Sequence, residues 1–286
     1  MKTKQEQFLL AIARIEKFSP APMILARAMK LLRDPQSDVD SIAQLVRRDP
    51  SLVADIIRCA NSVYYGGGDA AQSIEGAVQK IGFRETISLL NVAVSRVTAS
   101  QDLRSYGISA DDFWAESLFN GLFLRNLAIA SGTVDSDEAY TVGLLRFIGR
   151  LAINQVISDL GGGLFWQGKE SIAEWERQSV GFVQSEAGAI LLAKWQFPRE
   201  MVKAIAGQET PTQLPEPNWL AEALGFASVL FPQGLGLPMH VALTESQPIS
   251  KFSSEFIRKS GLTPVKVEAL IATTREDHER IRQNFA

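Results

Sequence analysis

The sequence predicts an all-α protein, on three observations. Apolar residues recur at spacings of three and four along most of the chain. Helix-capping residues punctuate that rhythm. No apolar–polar alternation persists beyond a few positions, so no strand is predicted, and no internal repeat is visible. The 286 residues suit one large domain or two modest ones.

Taken in order, the helices declare themselves by their ends. Asp38–Arg48 is a predicted helix that stops at Asp49-Pro50. Those two residues start the next one, Asp49 as the N-cap and Pro50 at the first position, where a missing N–H costs nothing. It ends near Asn61-Ser62, ahead of Tyr64, Tyr65 and the Gly66–Gly68 turn. Ser73 caps Ile74–Ile81, Gly82 closes it, and Arg84–Ala99 follows. Ser109 with Asp112 resembles a capping box. Ala110–Ala130 and Ser136–Leu160 are apolar on nearly every side, which predicts two helices buried all round at the centre. Gly161–Gly163 ends the second of them. Ser171 then opens a short helix, Gln184–Trp195 makes another, and Pro198 starts a third. Thr210–Pro217, with three prolines, reads as a linker. The remainder is helical, and Pro264 starts a last helix whose apolar stripe runs Val267, Leu270, Ile271, Thr274, Ile281, Phe285.

Composition narrows the function classes. The hydrophobic fraction is 46%, the charged fraction 21% and the net charge −3, as in an ordinary globular protein. No basic excess points to a nucleic-acid surface. The N-terminal apolar run Phe8–Ala13 is cut off by Arg14 and Glu16, too soon for a signal peptide, and no stretch is long enough to span a membrane. A cytoplasmic location is expected. Cys59, the only cysteine, excludes an internal disulfide and lies in an apolar stretch, which predicts a buried structural thiol. Histidine is scarce: His240 sits in a loop and His278 beside the stripe of the last helix, flanked by Asp277 and Glu279 as on a solvated edge. Ordinary histidines outweigh metal ligands at both places. Gly66–Gly68 and Gly161–Gly163 lack the Lys-Ser/Thr of a phosphate-binding loop.

A series of short pieces follows a set order. Pro20 and Pro22 come first, then Leu31-Leu32 with Asp34-Pro35, and then Arg48-Asp49-Pro50-Ser51-Leu52. Ala60-Asn61-Ser62 with Tyr65-Gly66, Ser73-Ile74, Ala77 and Ile81-Gly82 follow. Phe113-Trp114, Gly143-Leu144-Leu145 with Ile148-Gly149-Arg150, Glu186-Ala187-Gly188-Ala189, and Trp195 with Phe197-Pro198 complete it. Together they resemble the HDOD domain, the HD-related output domain of bacterial signalling proteins, from Phe18 to about Pro211.

The resemblance implies an HD-like multi-helix bundle. An HDOD domain would occupy 1–211, with an N-terminal helical part over about 1–105 and an HD-like part over about 106–211. A C-terminal helical extension, 212–286, would complete the bundle, with the flanks too short for a further signalling domain. It also implies descent from enzymes whose histidines and aspartates hold metals that activate water. Each matching position is changed here. The histidine of Phe-Trp-x-His-Ser is Glu116, and the His-Asp pair of Gly-Leu-Leu-His-Asp-Ile-Gly is Arg146-Phe147. The first histidine of His-x-Glu-x-Gly is Gln184, and a later His-His is Gln208-Glu209. A guanidinium keeps its proton and has no lone pair to donate, so Arg146 would repel a metal.

The expectations are therefore no catalytic residue, no metal and no cofactor. Glu116 and Arg146 are expected either to pair in the vacated site or to leave one side chain reaching solvent, with Gln184, Gln208 and Glu209 able to complete a polar network. Asn61 and Tyr65 form either a recognition surface or a packed helix end, and the packed end is the favoured reading. Phe165 and Trp166, on a Gly-flanked loop, are either a partner anchor or a cover for the core. The resemblance implies a non-catalytic module acting through contacts with other signalling proteins. One alternative is a small anionic ligand, such as a nucleotide messenger, held by Arg146 and Arg150 one turn apart on one helix. A residual hydrolase using His278 is the least favoured.

Overall fold

The computed structural model describes residues 10–12, 21–46, 50–62, 65, 70–98, 101–231 and 251–285. The expectations for Asp49, Gly66 and His240 lie outside them. Among the described residues, the N-terminal part holds α1 (Ala21–Arg33), α2 (Val39–Val46), α3 (Pro50–Ala60), α4 (Ile74–Ile81) and α5 (Phe83–Thr98). Six follow in the HD-like part: α6 (Ala110–Ser131), α7 (Ser136–Leu144), α8 (Ile148–Asp159), α9 (Ile172–Ser179), α10 (Gln184–Lys194) and α11 (Arg199–Gly207). The last are α12 (Trp219–Leu230), α13 (Lys251–Lys259) and α14 (Pro264–Phe285). The described residues contain no strand, only one antiparallel bridge, between Leu103 and Ile108. No helix among them is long and apolar enough to cross a membrane.

The caps act as their residue types dictate. The Ser73 hydroxyl accepts from the Gly76 N–H, and Gly82 closes α4 at φ +88°, a conformation that costs glycine little. Ser171 and Glu174 form a reciprocal capping box on α9. At α6 the box is incomplete. Ser109 caps the Asp112 N–H, but the shorter Asp112 carboxylate takes the Ser109 hydroxyl proton. Pro198 stands as the N-cap of α11, one position earlier than expected.

One prediction fails in an informative way. Ser136–Leu160 is not one helix: the chain turns at Leu145–Phe147, between α7 and α8. Both halves are buried on most sides, so the apolar pattern runs through the turn unbroken. Glycines on either side mark it instead. A Cβ on Gly143 would lie 2.4 Å from the Asn120 carbonyl oxygen, so α7 lies directly against the backbone of α6. A Cβ on Gly149 would lie 1.8 Å from the Gln184 carbonyl oxygen, so α8 lies equally close to the start of α10. The turn carrying Arg146 and Phe147 is therefore held between two close backbone crossings.

Helices α12 and α14 pack onto α6, and α13 packs against α12 and α14. The Asn126 amide donates to the Thr274 hydroxyl at 3.0 Å. Phe119, Phe123, Phe226, Phe231 and Phe256 make a connected aromatic cluster beneath them. His278 joins it edge-on to Phe119, with its Nε2 2.8 Å from the Ala115 carbonyl oxygen. His278 is thus buried in the core and not on the expected solvated edge, because α14 faces α6 along its stripe. Burial lowers its pKa to about 4. Cys59 is buried as expected, and burial pushes its thiol up to about 11.

Candidate functional site

Five of the changed positions, Glu116, Arg146, Phe147, Gln184 and Gln208, are buried around the α7–α8 turn. Glu116 projects from the middle of α6 and is 2% exposed. The closest cation to it is not Arg146 but Arg150, whose Nη1 is 3.7 Å from Glu116 Oε2. Arg146 makes no ion pair within 4 Å among the described residues. Its Nη1 donates to Asn120 Oδ1 and its Nη2 to the Ser228 hydroxyl. Neither of the two readings of Glu116 and Arg146 holds: they do not pair directly, and both side chains are buried instead of reaching solvent. Arg146 and Arg150 also do not share a helix, since Arg146 sits in the turn and Arg150 on the first turn of α8. The broken helix explains both differences, because it re-aims Arg146 toward α12.

Phe147 has acquired a role of its own. The guanidinium carbons of Arg146 and Arg150 lie 4.5 and 4.2 Å from its ring centroid. An aromatic face in a desolvated setting offers each cation about 2 kcal/mol. Gln208 fixes the turn by donating from Nε2 to the carbonyl oxygens of Arg146 and Ile205, each at 3.1 Å. Glu209 is exposed and acts on Arg146 only through longer-range charge, so it is not part of a buried network. The Gln184 side chain is 2% exposed, and neither of its amide atoms has a hydrogen-bond partner.

Two residues that the sequence reading missed complete the site, Glu176 and Tyr106. Glu176, on α9, accepts from the Tyr106 hydroxyl at 2.9 Å and from the Gln184 backbone N–H at 2.7 Å. It also faces Arg150 electrostatically. A signal for it was present: Ile172, Trp175, Glu176 and Ser179 fall at i, i+3, i+4, i+7, so an acid stands on the buried stripe of α9. Burial raises the carboxyl groups of both Glu116 and Glu176 to about 7, against the downward pull of Arg150. Burial likewise lowers Arg146 to about 10, with Glu116 opposing it.

This set of residues does not fit a divalent metal. Its centre presents two guanidiniums and an aromatic ring where donors are needed. Among the described residues no three of His, Cys, Asp and Glu are grouped to hold a metal ion.

The surface candidates divide. Asn61 spends its amide on the backbone of Ala71, donating to its carbonyl and accepting from its N–H, both at 2.8 Å. The Tyr65 hydroxyl donates to Glu85 at 2.7 Å. Both fit the packed helix end better than a recognition surface. Phe165 is 51% exposed, whereas Trp166 folds back, its Nε1 donating to the Glu170 carbonyl at 2.9 Å.

The chain belongs to the HDOD domain family, whose description matches residues 19–211. Its fold is that of an HDOD domain protein of unknown function from Geobacter sulfurreducens, at TM-score 0.70 and 20% identity over 97% of each chain. It is similarly close to a candidate signal transduction protein from Marinobacter aquaeolei VT8, at TM-score 0.72 and 20% identity, over 98% of this chain and 64% of that one. An uncharacterized protein of Treponema pallidum (strain Nichols) is 24% identical over 224 residues, 76% of this chain. The chain spans only 42% of that relative's length.

Proposed function

We propose that this chain is a signalling module that works by binding other signalling proteins and carries out no metal-dependent hydrolysis. The observation that carries the reading is the burial of Arg146 and Arg150 around Phe147, with Arg146 and Phe147 standing where the family resemblance would put a metal-binding His-Asp pair. A divalent cation and a guanidinium about 4 Å apart repel by roughly 8 kcal/mol at an effective dielectric near 20. Two such repulsions offset a typical protein–zinc binding free energy of about 10–16 kcal/mol. The Marinobacter protein of similar fold, named for signal transduction, supports the signalling half of the reading.

The test is enzymatic. The purified chain is assayed on generic phosphomonoester and phosphodiester substrates with manganese, iron or zinc added. The expected rate equals that of Glu116→Gln under every metal. Turnover that depends on added metal and disappears in Glu116→Gln would sink the proposal.

A further inference from the structure

The geometry points to an oxyanion-binding site in the cavity at the α7–α8 turn, with Arg146 and Gln184 as its recognition residues. This goes beyond the signalling proposal and does not depend on which protein the chain contacts.

The cavity has a volume of about 150 Å³ and lies between the α7–α8 turn, the starts of α9 and α10, and the ends of α11 and α12. That is room for more than a single water molecule. Arg146 lines it and is 2% exposed, with its Nε lacking a hydrogen-bond partner. A buried guanidinium is strongly penalised without a counter-charge. Its hydrogen bonds go to two neutral oxygens, Asn120 Oδ1 and Ser228 Oγ. Gln184 also lines the cavity, and its buried amide leaves both a donor and an acceptor unused. Such a group costs about 1–3 kcal/mol to bury unsatisfied, which points to an occupant that bonds to it. The first turn of α9, Ile172 and Ala173, borders the same space, and N–H groups there lack partners within the helix.

These features specify the occupant's chemistry. It carries negative charge for Arg146 and acceptor oxygens for the N–H groups. A protonated oxygen, as on hydrogen phosphate, would also satisfy Gln184 Oε1. The acids around the cavity are Glu116 and Glu176, which face Arg150, and Glu209 at the rim. Glu116 and Glu209 act on Arg146 electrostatically, but none of the three lies within ion-pair distance of it, so its Nε is left to a ligand. The cavity shares Gln208, Glu209 and Ser228 with a wider groove of about 500 Å³, which could seat an organic group attached to the anion.

The experiment titrates the full chain with inorganic phosphate, GMP and guanosine by calorimetry and thermal shift, at constant ionic strength in chloride. Phosphate and GMP are expected to bind and raise the Tm, and guanosine is not. Arg146→Met should weaken binding about tenfold or more. Should that variant fail to fold, Gln184→Met keeps the side-chain length and removes both amide hydrogen-bonding atoms, again with an expected loss of about tenfold. GMP binding about tenfold tighter than phosphate would place the organic group in the groove. Equal affinities would mark a site for the free oxyanion. The inference is overturned if neither phosphate nor GMP binds beyond chloride, or if a folded variant binds as tightly as the wild type.

Discussion

Glu116→Gln isolates the energetics of the vacated site. Glutamine matches the size of the protonated acid but cannot ionise. Burial raises the native carboxyl from its ordinary 4.5 to about 7. The native state therefore binds the proton more tightly than the unfolded chain between those values. Stability falls as pH rises wherever the native state holds more protons. The favourable contribution is fully present below about 4.5 and is lost as pH passes 7. A shift of this size corresponds to about 3 kcal/mol. The glutamine variant has no such loss, so its stability relative to wild type should climb by about 3 kcal/mol between pH 4.5 and 8. In Tm that is roughly 6–12 °C for a chain of this size. The difference should if anything be enlarged, because removing one acid leaves Arg150 to Glu176 alone, eases the ionisation of Glu176 and so reduces the variant's own loss with pH. The assay is urea or thermal denaturation of both proteins at half-unit pH steps, read as a difference so that the other titrating groups cancel. A flat difference refutes the reasoning. So does a variant that loses ground as pH rises, since that would mean ionised Glu116 is held as a net stabilising ion pair.

The core histidine should show the opposite slope. Burial lowers the pKa of His278 to about 4, so its contribution is present above its ordinary 6.5 and is lost as pH falls toward 4. His278→Gln should be less stable than wild type at pH 8 but lose less on acidification, and parallel acid limbs in denaturation would contradict this. At the α8–α9 loop, Phe165→Ala should change stability by less than about 0.5 kcal/mol. Trp166→Ala should cost roughly 3 kcal/mol, and equal losses in chemical denaturation would show that the two aromatics are equally packed.

Much of the fold was legible because capping chemistry is local. Ser73, Ser109 and Ser171 satisfy the N–H groups that follow them wherever the helix goes, so each of these helix starts can be read in isolation. The α7–α8 turn was not legible, because a helix buried on all sides carries no polar face whose phase could register a break. The only marks were Gly143 and Gly149, and their meaning depends on the backbones of α6 and α10, which the sequence does not place. Misjudging that turn misplaced Arg146. The six changed positions were visible only through the family resemblance, since composition offers no reason to connect Glu116 with Gln184. Of these, Glu209 stays at the surface and Gln208 acts on backbone, so a shared place in the family pattern does not imply a shared role in this chain.

The proposed loss of hydrolysis and the persistence of the fold have a common electrostatic origin. A divalent metal supplies two positive charges to the carboxylates around it. Arg146 and Arg150 supply the same total charge from the chain itself, with Phe147 between them. Glu116 and Glu176 thereby keep a counter-charge within the bundle, and the central helices close without a bound ion. Guanidiniums cannot take over the metal's other task. They have no open coordination position and do not bring the pKa of a bound water near neutrality, as zinc can. What they add is a planar array of N–H donors, and such donors are suited to holding an oxyanion and not to attacking one. On this argument an arginine where the family pattern has a histidine suits the proposed site to holding an anion and not to activating a metal-bound water.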